Sequence, residues 1–162
     1  MSGLGRHFAV EAKDAELLER ADDDGVMSFV EHLEECWEEP WTVDTDRAWE
    51  ALHRCLSDGS LRFDGGQYPL SFAVLGGRQL YGGEDYIVAF LSADQVADVS
   101  AALAAIDECW LRVRFFALDL ANYEGRGDEA DFQHTWDNLV DMRTFFRSAS
   151  EAGRAVLFTL GA

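Results

Sequence analysis

The sequence predicts an α+β fold, mostly helical, with a small sheet built from strands near residues 7–11, 87–91 and 154–160. Apolar residues recur at i, i+3, i+4 and i+7 in several stretches, the mark of helices that bury one stripe. Three short apolar or alternating runs have the length of strands. No repeat, low-complexity tract or linker interrupts the 162 residues, so residues 1–162 read as one compact domain, and 48% apolar content is enough for a packed core.

In residues 7–11, Phe8 and Val10 alternate with polar neighbours and predict the first strand. Ala15, Leu17 and Leu18 among charges predict a short surface helix over 13–20, stopped by Asp22-Asp23-Asp24-Gly25. The next helix starts after that acidic turn, buries Val26, Phe29, Val30 and Leu33, and turns Glu31, Glu34, Glu35 and Glu38 outward. Pro40 breaks it. Residues 44–77 are the centre of the chain. There Trp49, Leu52, His53 and Leu56 form one inward stripe, Asp44 or Thr45 caps the first turn, and Asp58-Gly59 stops the helix. Glycine pairs at 65–66, 76–77 and 82–83 bracket a short helix over 70–75.

Residues 87–91 predict a strand covered on both faces. Ser92 with Gln95 three residues on makes a capping box, and Val96, Val99, Leu103 and Ile106 mark the inward stripe that follows. Residues 110–120 predict a largely buried helix, with Arg112 and Arg114 reaching outward or pairing with carboxylates. After a polar loop, a helix over 129–152 buries Phe132, Trp136, Leu139, Val140, Phe145 and Phe146 and ends at Gly153. The run 154–160 closes the chain as a strand.

Net charge is −18, and residues 11–50 hold 15 acidic residues against Lys13, Arg20 and Arg47. A surface of this sign repels phosphate, which argues against nucleic acid and anionic membranes, and it steers a basic protein partner. Oligomeric state is not encoded in any visible pattern. No apolar run spans a bilayer and no signal peptide opens the chain, which predicts a cytoplasmic protein. Cys36, Cys55 and Cys109 are odd in number and far apart, the pattern of buried free thiols in a reducing compartment.

Motifs of chemistry are absent or incomplete. His32 and Cys36 share a helix face without the further ligands zinc needs, the three aspartates lack calcium-loop spacing, and the glycine pairs do not form a P-loop. No metal or cofactor is expected. Three candidates remain for a site. Asp46, Glu50 and His53 share one side of the central helix and could form a small hydrolytic or small-molecule site, although a histidine on an apolar stripe most often serves packing. Trp41 and Trp49, with Trp37, could form an aromatic wall beside Glu34, Glu35, Glu38 and Glu39. Arg78 and Tyr81 could rim a cleft beside the glycine-rich loop.

Several weak motifs stand in a recognisable order: Gly3 to Phe8; Asp46-Arg-Ala-Trp49 with His53, Leu56 and Gly59; Pro69-Leu70 running into Ala73-Val-Leu-Gly76-Gly77; Leu91-Ser92 with Val96; and the late Phe145-Phe146-Arg147 and Gly153-Arg-Ala-Val. In this order the chain resembles the YfbM-like family of bacterial proteins, a domain of unknown function. It departs at Asn122-Tyr123, where the family's Ile-Tyr-Pro turn has lost its proline. The resemblance implies a compact α+β fold and carries no activity to transfer. The charge pattern then favours a non-catalytic acidic protein-binding or inhibitory, immunity-like module, with the Asp46–Glu50–His53 site as the alternative.

Overall fold

The computed structural model describes residues 3–161. Five strands form one antiparallel sheet in the order β2-β1-β5-β4-β3, with β1 at Gly5–Val10, β2 at Thr42–Asp46, β3 at Arg78–Gln79, β4 at Tyr86–Leu91 and β5 at Ala155–Gly161. The expected strands near 7–11, 87–91 and 154–160 are present, shifted by one or two residues. The two edge strands were not foreseen. β2 is short and mostly polar, and it contains Asp44 and Thr45, which the sequence places at a helix cap. Instead the Thr45 hydroxyl donates to the Gly5 carbonyl at 2.9 Å, and Asp44 accepts from the Asp46 amide at 2.7 Å. Asp46 itself adopts a left-handed conformation, φ 49°, where the chain turns toward the next helix.

The last strand, β5, is the central one, so both its faces are covered. On one face Val10, Val88, Phe90, Ala155 and Leu157 meet Ala15 and Leu18 of α1 (Ala12–Arg20) and Val26 and Val30 of α2 (Asp23–Cys36). Phe29 and Leu33 of the expected α2 stripe are only half-buried, and α2 begins inside the acidic turn, capped by Asp22. On the other face Ala9, Ile87, Ala89, Leu91, Val156, Phe158 and Leu160 join a core shared by α3 (Trp49–Leu56), α4 (Ala93–Ala104), α5 (Glu108–Phe116) and α6 (Glu129–Glu151). The period-2 alternation of β1 and β5 thus feeds two separate cores. The capping box of Ser92 and Gln95 opens α4 as expected, and Val96, Val99, Leu103 and Ile106 are buried.

Two helix expectations are corrected. α5 buries only Leu111 and Phe115, while Val113 and Phe116 face outward, because it packs on α3 and α6 along one side only. In α6, Val140 is exposed and Trp136 half-buried. The expected short helix over 70–75 shrinks to a 3-10 turn at Leu70–Phe72. Of the three thiols only Cys55 is buried, and burial pushes it up to about 12, so it is inert; Cys36 and Cys109 are exposed.

α3 is the structural centre, and it is buried all round rather than on one stripe: each of its eight residues is buried. A Cβ on Gly5 would lie 2.8 Å from that of Trp49, so the bare backbone of β1 lets α3 approach. Burial on every side forces each polar tip to find an internal partner. Trp49 donates to the Gly3 carbonyl at 3.0 Å. Arg54 pairs with Glu50 at 3.0 Å and donates to the carbonyls of Gly59 and Asn122, each at 3.1 Å. From α5, Arg114 donates to the Cys55 and Ser57 carbonyls at 2.7 and 2.9 Å, completing the end of α3.

His7 on β1 is fully buried among Phe145, Phe146 and Phe158, and its Nε2 meets the Ala73 carbonyl at 2.7 Å. Burial, only partly opposed by that carbonyl, holds its pKa down at about 4.

Arg54→Ala is expected to cost about 3–5 kcal/mol in urea unfolding, because it strands Glu50 in the core, and Glu50→Gln with Arg54→Met together to cost less than the single change. A loss for Arg54→Ala below about 1 kcal/mol, the range of an exposed pair, would show that water reaches the site. The unfolded chain takes a proton at residue 7 near pH 6.5 and the folded chain only near 4, so this contribution is complete above 6.5 and is lost as pH falls toward 4. Measured against His7→Phe, wild type is expected to lose about 3 kcal/mol of unfolding free energy across that window. Parallel curves for the two proteins would contradict it.

Candidate functional site

The three residues of the expected catalytic group do not meet. His53 is 1% exposed. Its Nε2 donates to the Arg62 carbonyl at 2.8 Å and its Nδ1 accepts the Leu75 amide at 3.4 Å, which sets the neutral Nε2–H tautomer. Burial lowers its pKa, against the opposing effect of the Arg62 carbonyl. It ties the chain after α3 to the segment before β3. Glu50 is spent on Arg54 and on the Glu124 amide at 3.3 Å. Asp46 lies instead 3.6 Å from His134 of α6.

Where β2, the start of α3 and the start of α6 converge, a cleft of about 160 Å³ is lined by Arg47, Trp49, Glu50, Tyr123, Asp131 and His134, among others. Tyr123 donates to Asp131 at 2.7 Å, and burial followed by that carboxylate raises its pKa. The second Asp131 contact is the Gly127 amide at 2.9 Å, which closes the loop before α6. Of the expected group only Glu50 lines this cleft, together with His134, which approaches Asp46. Nothing in the sequence singles out His134, Tyr123 and Asp131, because they lie about 70 to 80 residues downstream of α3 and carry no spacing that links them to it. The Asp131 side chain four residues from the Gly127 turn was the one local signal.

The aromatic wall is likewise not assembled. Trp49 is sealed on the far side of the sheet from α2. The Arg6 guanidinium lies 5.2 Å from the Trp37 ring, and Arg154 stacks on Trp41 at 3.9 Å. Of the four glutamates, Glu34 is structural: it accepts the Tyr86 hydroxyl at 2.8 Å and lies 3.7 Å from Arg6. Glu35, Glu38 and Glu39 are exposed and, among the described residues, have no basic partner within 4.0 Å. The same is true of Glu16, Asp24 and Glu31 on the α1–α2 layer. Elsewhere on this layer, among the described residues, the basic side chains reach Glu11, through Arg154 at 3.8 Å and Lys13 at 3.9 Å, and Glu19, through Arg78 at 3.9 Å.

Between α1, α2 and the sheet edge runs a groove of about 330 Å³ whose walls include Phe29, Leu33 and Trp41, with Glu11, Asp14 and Glu38 at its border. His32 and Cys36 lie 3.7 Å apart along it, and no group of three or more potential metal ligands occurs among the described residues. Arg78 and Tyr81 do not rim a glycine-loop cleft: Arg78 turns to Glu19, Tyr81 donates to Asp85 at 2.9 Å, and the Gly82 amide donates to Asp23 at 3.2 Å, so this loop is pinned to the start of α2. No helix of the described residues is long and apolar enough to cross a membrane.

The fold places the chain among known structures. The crystal structure of YfbM from Escherichia coli, a protein of unknown function, aligns over 97% of this chain and 99% of its own with a TM-score of 0.70 at 22% identity, a likeness of fold. No curated protein sequence matches. The family described as a domain of unknown function, DUF1877, matches residues 1–159, and the chain belongs to it.

Proposed function

We propose that the protein is a non-catalytic module that binds a basic protein through the outer face of α1 and α2, and that it inhibits or shields that partner as immunity proteins do. The observation that carries this reading is the set of exposed carboxylates on one layer, Glu16, Asp24, Glu31, Glu35, Glu38 and Glu39, without basic partners among the described residues. Carboxylates spread over one face of a sheet add their fields, which raises the encounter rate with a cationic surface and rejects anionic ones. The groove walled by Phe29, Leu33 and Trp41 adjoins this face and is lined by Lys13 and Arg154 as well as by Glu11, Asp14 and Glu38, a largely polar recess for one side chain of the partner. The partner is a protein rather than nucleic acid or membrane because phosphate would meet the same field. The free thiols Cys36 and Cys109 on the surface favour a reducing, cytoplasmic setting.

A second reading rests on the 160 Å³ cleft, whose lining includes Glu50 and His134, with Asp46 3.6 Å from His134 rather than near His53. It makes the protein a small-molecule binder, with His53 as scaffold.

Affinity capture followed by mass spectrometry is expected to return a basic protein. Its association rate should fall at least about tenfold from about 50 to about 500 mM salt. Glu35→Lys, Glu38→Lys and Glu39→Lys combined should reduce that rate by a similar factor with the fold intact by circular dichroism. A partner whose rate ignores both salt and charge reversal would overturn the acidic-face reading. For the second reading, a fragment screen followed by amide chemical shifts should move Tyr123 and His134 together and leave His53 still; hits confined to other surfaces would remove it.

A further inference from the structure

Most polar groups around the cleft of about 160 Å³ are already engaged, and the few that are not have a definite polarity. Glu50, the most buried of its charged groups at 4% exposure, gives one carboxylate oxygen to Arg54 and the other to the Glu124 amide. The Asn138 side-chain nitrogen donates to the His134 carbonyl at 2.9 Å and to His134 Nδ1 at 3.4 Å, which leaves the ring proton on Nε2, 3.6 Å from Asp46. His134 is thereby occupied on both ring nitrogens. Tyr123 gives its proton to Asp131 Oδ2 at 2.7 Å, and the Gly127 amide donates to the same oxygen at 2.9 Å. A Cβ on Gly125 would collide with the Tyr123 hydroxyl and the Asp131 carboxylate, so the bare backbone there lets the loop close over this pair. Three groups stay unspent among the described residues. Asp131 Oδ1 bonds to none of them, the Tyr123 hydroxyl can only accept, and the exposed Arg47 guanidinium in the lining is paired with no carboxylate.

Resting on the small-molecule reading of this cleft, we propose that it binds a small free amino acid, with the ammonium group against Asp131 Oδ1 and the Tyr123 hydroxyl and the carboxylate against Arg47. Two acceptors call for a group that only donates, and an ammonium is such a group. A guanidinium fork calls for a carboxylate. The charges around the cleft agree with this polarity. Glu50, Glu124 and Asp131 stand against Arg47 in the lining, Arg54 offsets Glu50 from behind, and Asp46 beyond His134 adds one more negative group. The cleft is therefore net negative with one cationic end, which rejects phosphates and other polyanions. A simple amine would satisfy the acceptors and leave Arg47 unmatched. Since a cavity of about 150 Å³ holds benzene, this one suits an amino acid of about six to nine non-hydrogen atoms, the range from alanine to leucine.

Amide chemical shifts of the full chain test this while L-alanine, L-leucine or γ-aminobutyrate is titrated in. Each is set beside the amine that lacks its carboxylate and the acid that lacks its ammonium: ethylamine and propionate, isopentylamine and 4-methylpentanoate, propylamine and butyrate. At least one amino acid is expected to move Tyr123, Asp131 and His134 together, and to bind at least about tenfold more tightly than either matched compound, the worth of one charge-assisted hydrogen bond. Arg47→Ala should remove the advantage over the amine and leave the amine's own binding unchanged. Arg126→Ala, exposed nearby but outside the lining, should change neither. Tyr123→Phe should weaken amino acid and amine alike, with circular dichroism unchanged. An amine or acid that binds as well as its amino acid, or an amino acid indifferent to Arg47→Ala, would overturn the proposal. If other fragments move these residues and no amino acid does, the zwitterion falls and the small-molecule site stands; if nothing moves them, both fall.

Discussion

Burying an arginine and a glutamate inside an eight-residue helix is tolerable only if every one of their polar atoms finds a partner, and this requirement organises the half of the molecule around α3. Arg54 reaches Glu50 one turn back, the Gly59 carbonyl where the chain leaves the helix, and the Asn122 carbonyl far along the sequence. Arg114 answers from α5, and His53 joins the chain after α3 to the segment before β3. These contacts are charged or directional, so they set positions that apolar packing alone would leave loose. The cleft at the head of α3 adjoins that arrangement, with Glu50 in its lining.

The sheet divides the molecule into two environments of different character. Below it, α3 to α6 build a core that consumes its polar groups. Above it, α1 and α2 bury little more than Ala15, Leu18, Val26 and Val30 and leave their carboxylates in water. Arg6 and Arg154 offset this charge only at its margin: Arg6 reaches Glu34, Asp44 and the Trp37 ring, and Arg154 reaches Glu11 and the Trp41 ring.

The same accounting explains why residues of catalytic type turned out to be structural. His7 and His53 are both buried, and burial lowers the pKa of each. Both accept the cost of burial by binding backbone carbonyls, at Ala73 and Arg62. Glu34 and Trp49, which by type could bind a partner, instead hold Tyr86 and the Gly3 carbonyl. A polar side chain among apolar neighbours announces only that it needs a partner. Which partner it finds is a matter of distance in space.

Local patterns were enough for the α+β class, the three inner strands, the capping box at Ser92 and the long final helix, because alternation, stripe spacing and caps are set by neighbours in sequence. The uneven charge was equally plain, being a sum over residues. The order of the strands, the last one at the centre, came only with the folded chain, as did the two polar edge strands, the full burial of α3 and the outward turn of Val113 and Phe116. Each of these depends on contacts between residues tens of positions apart, such as Arg54 with Asn122, Thr45 with Gly5 or His134 with Asp46. No periodicity encodes such pairs, since what selects them is the packing of whole elements against one another.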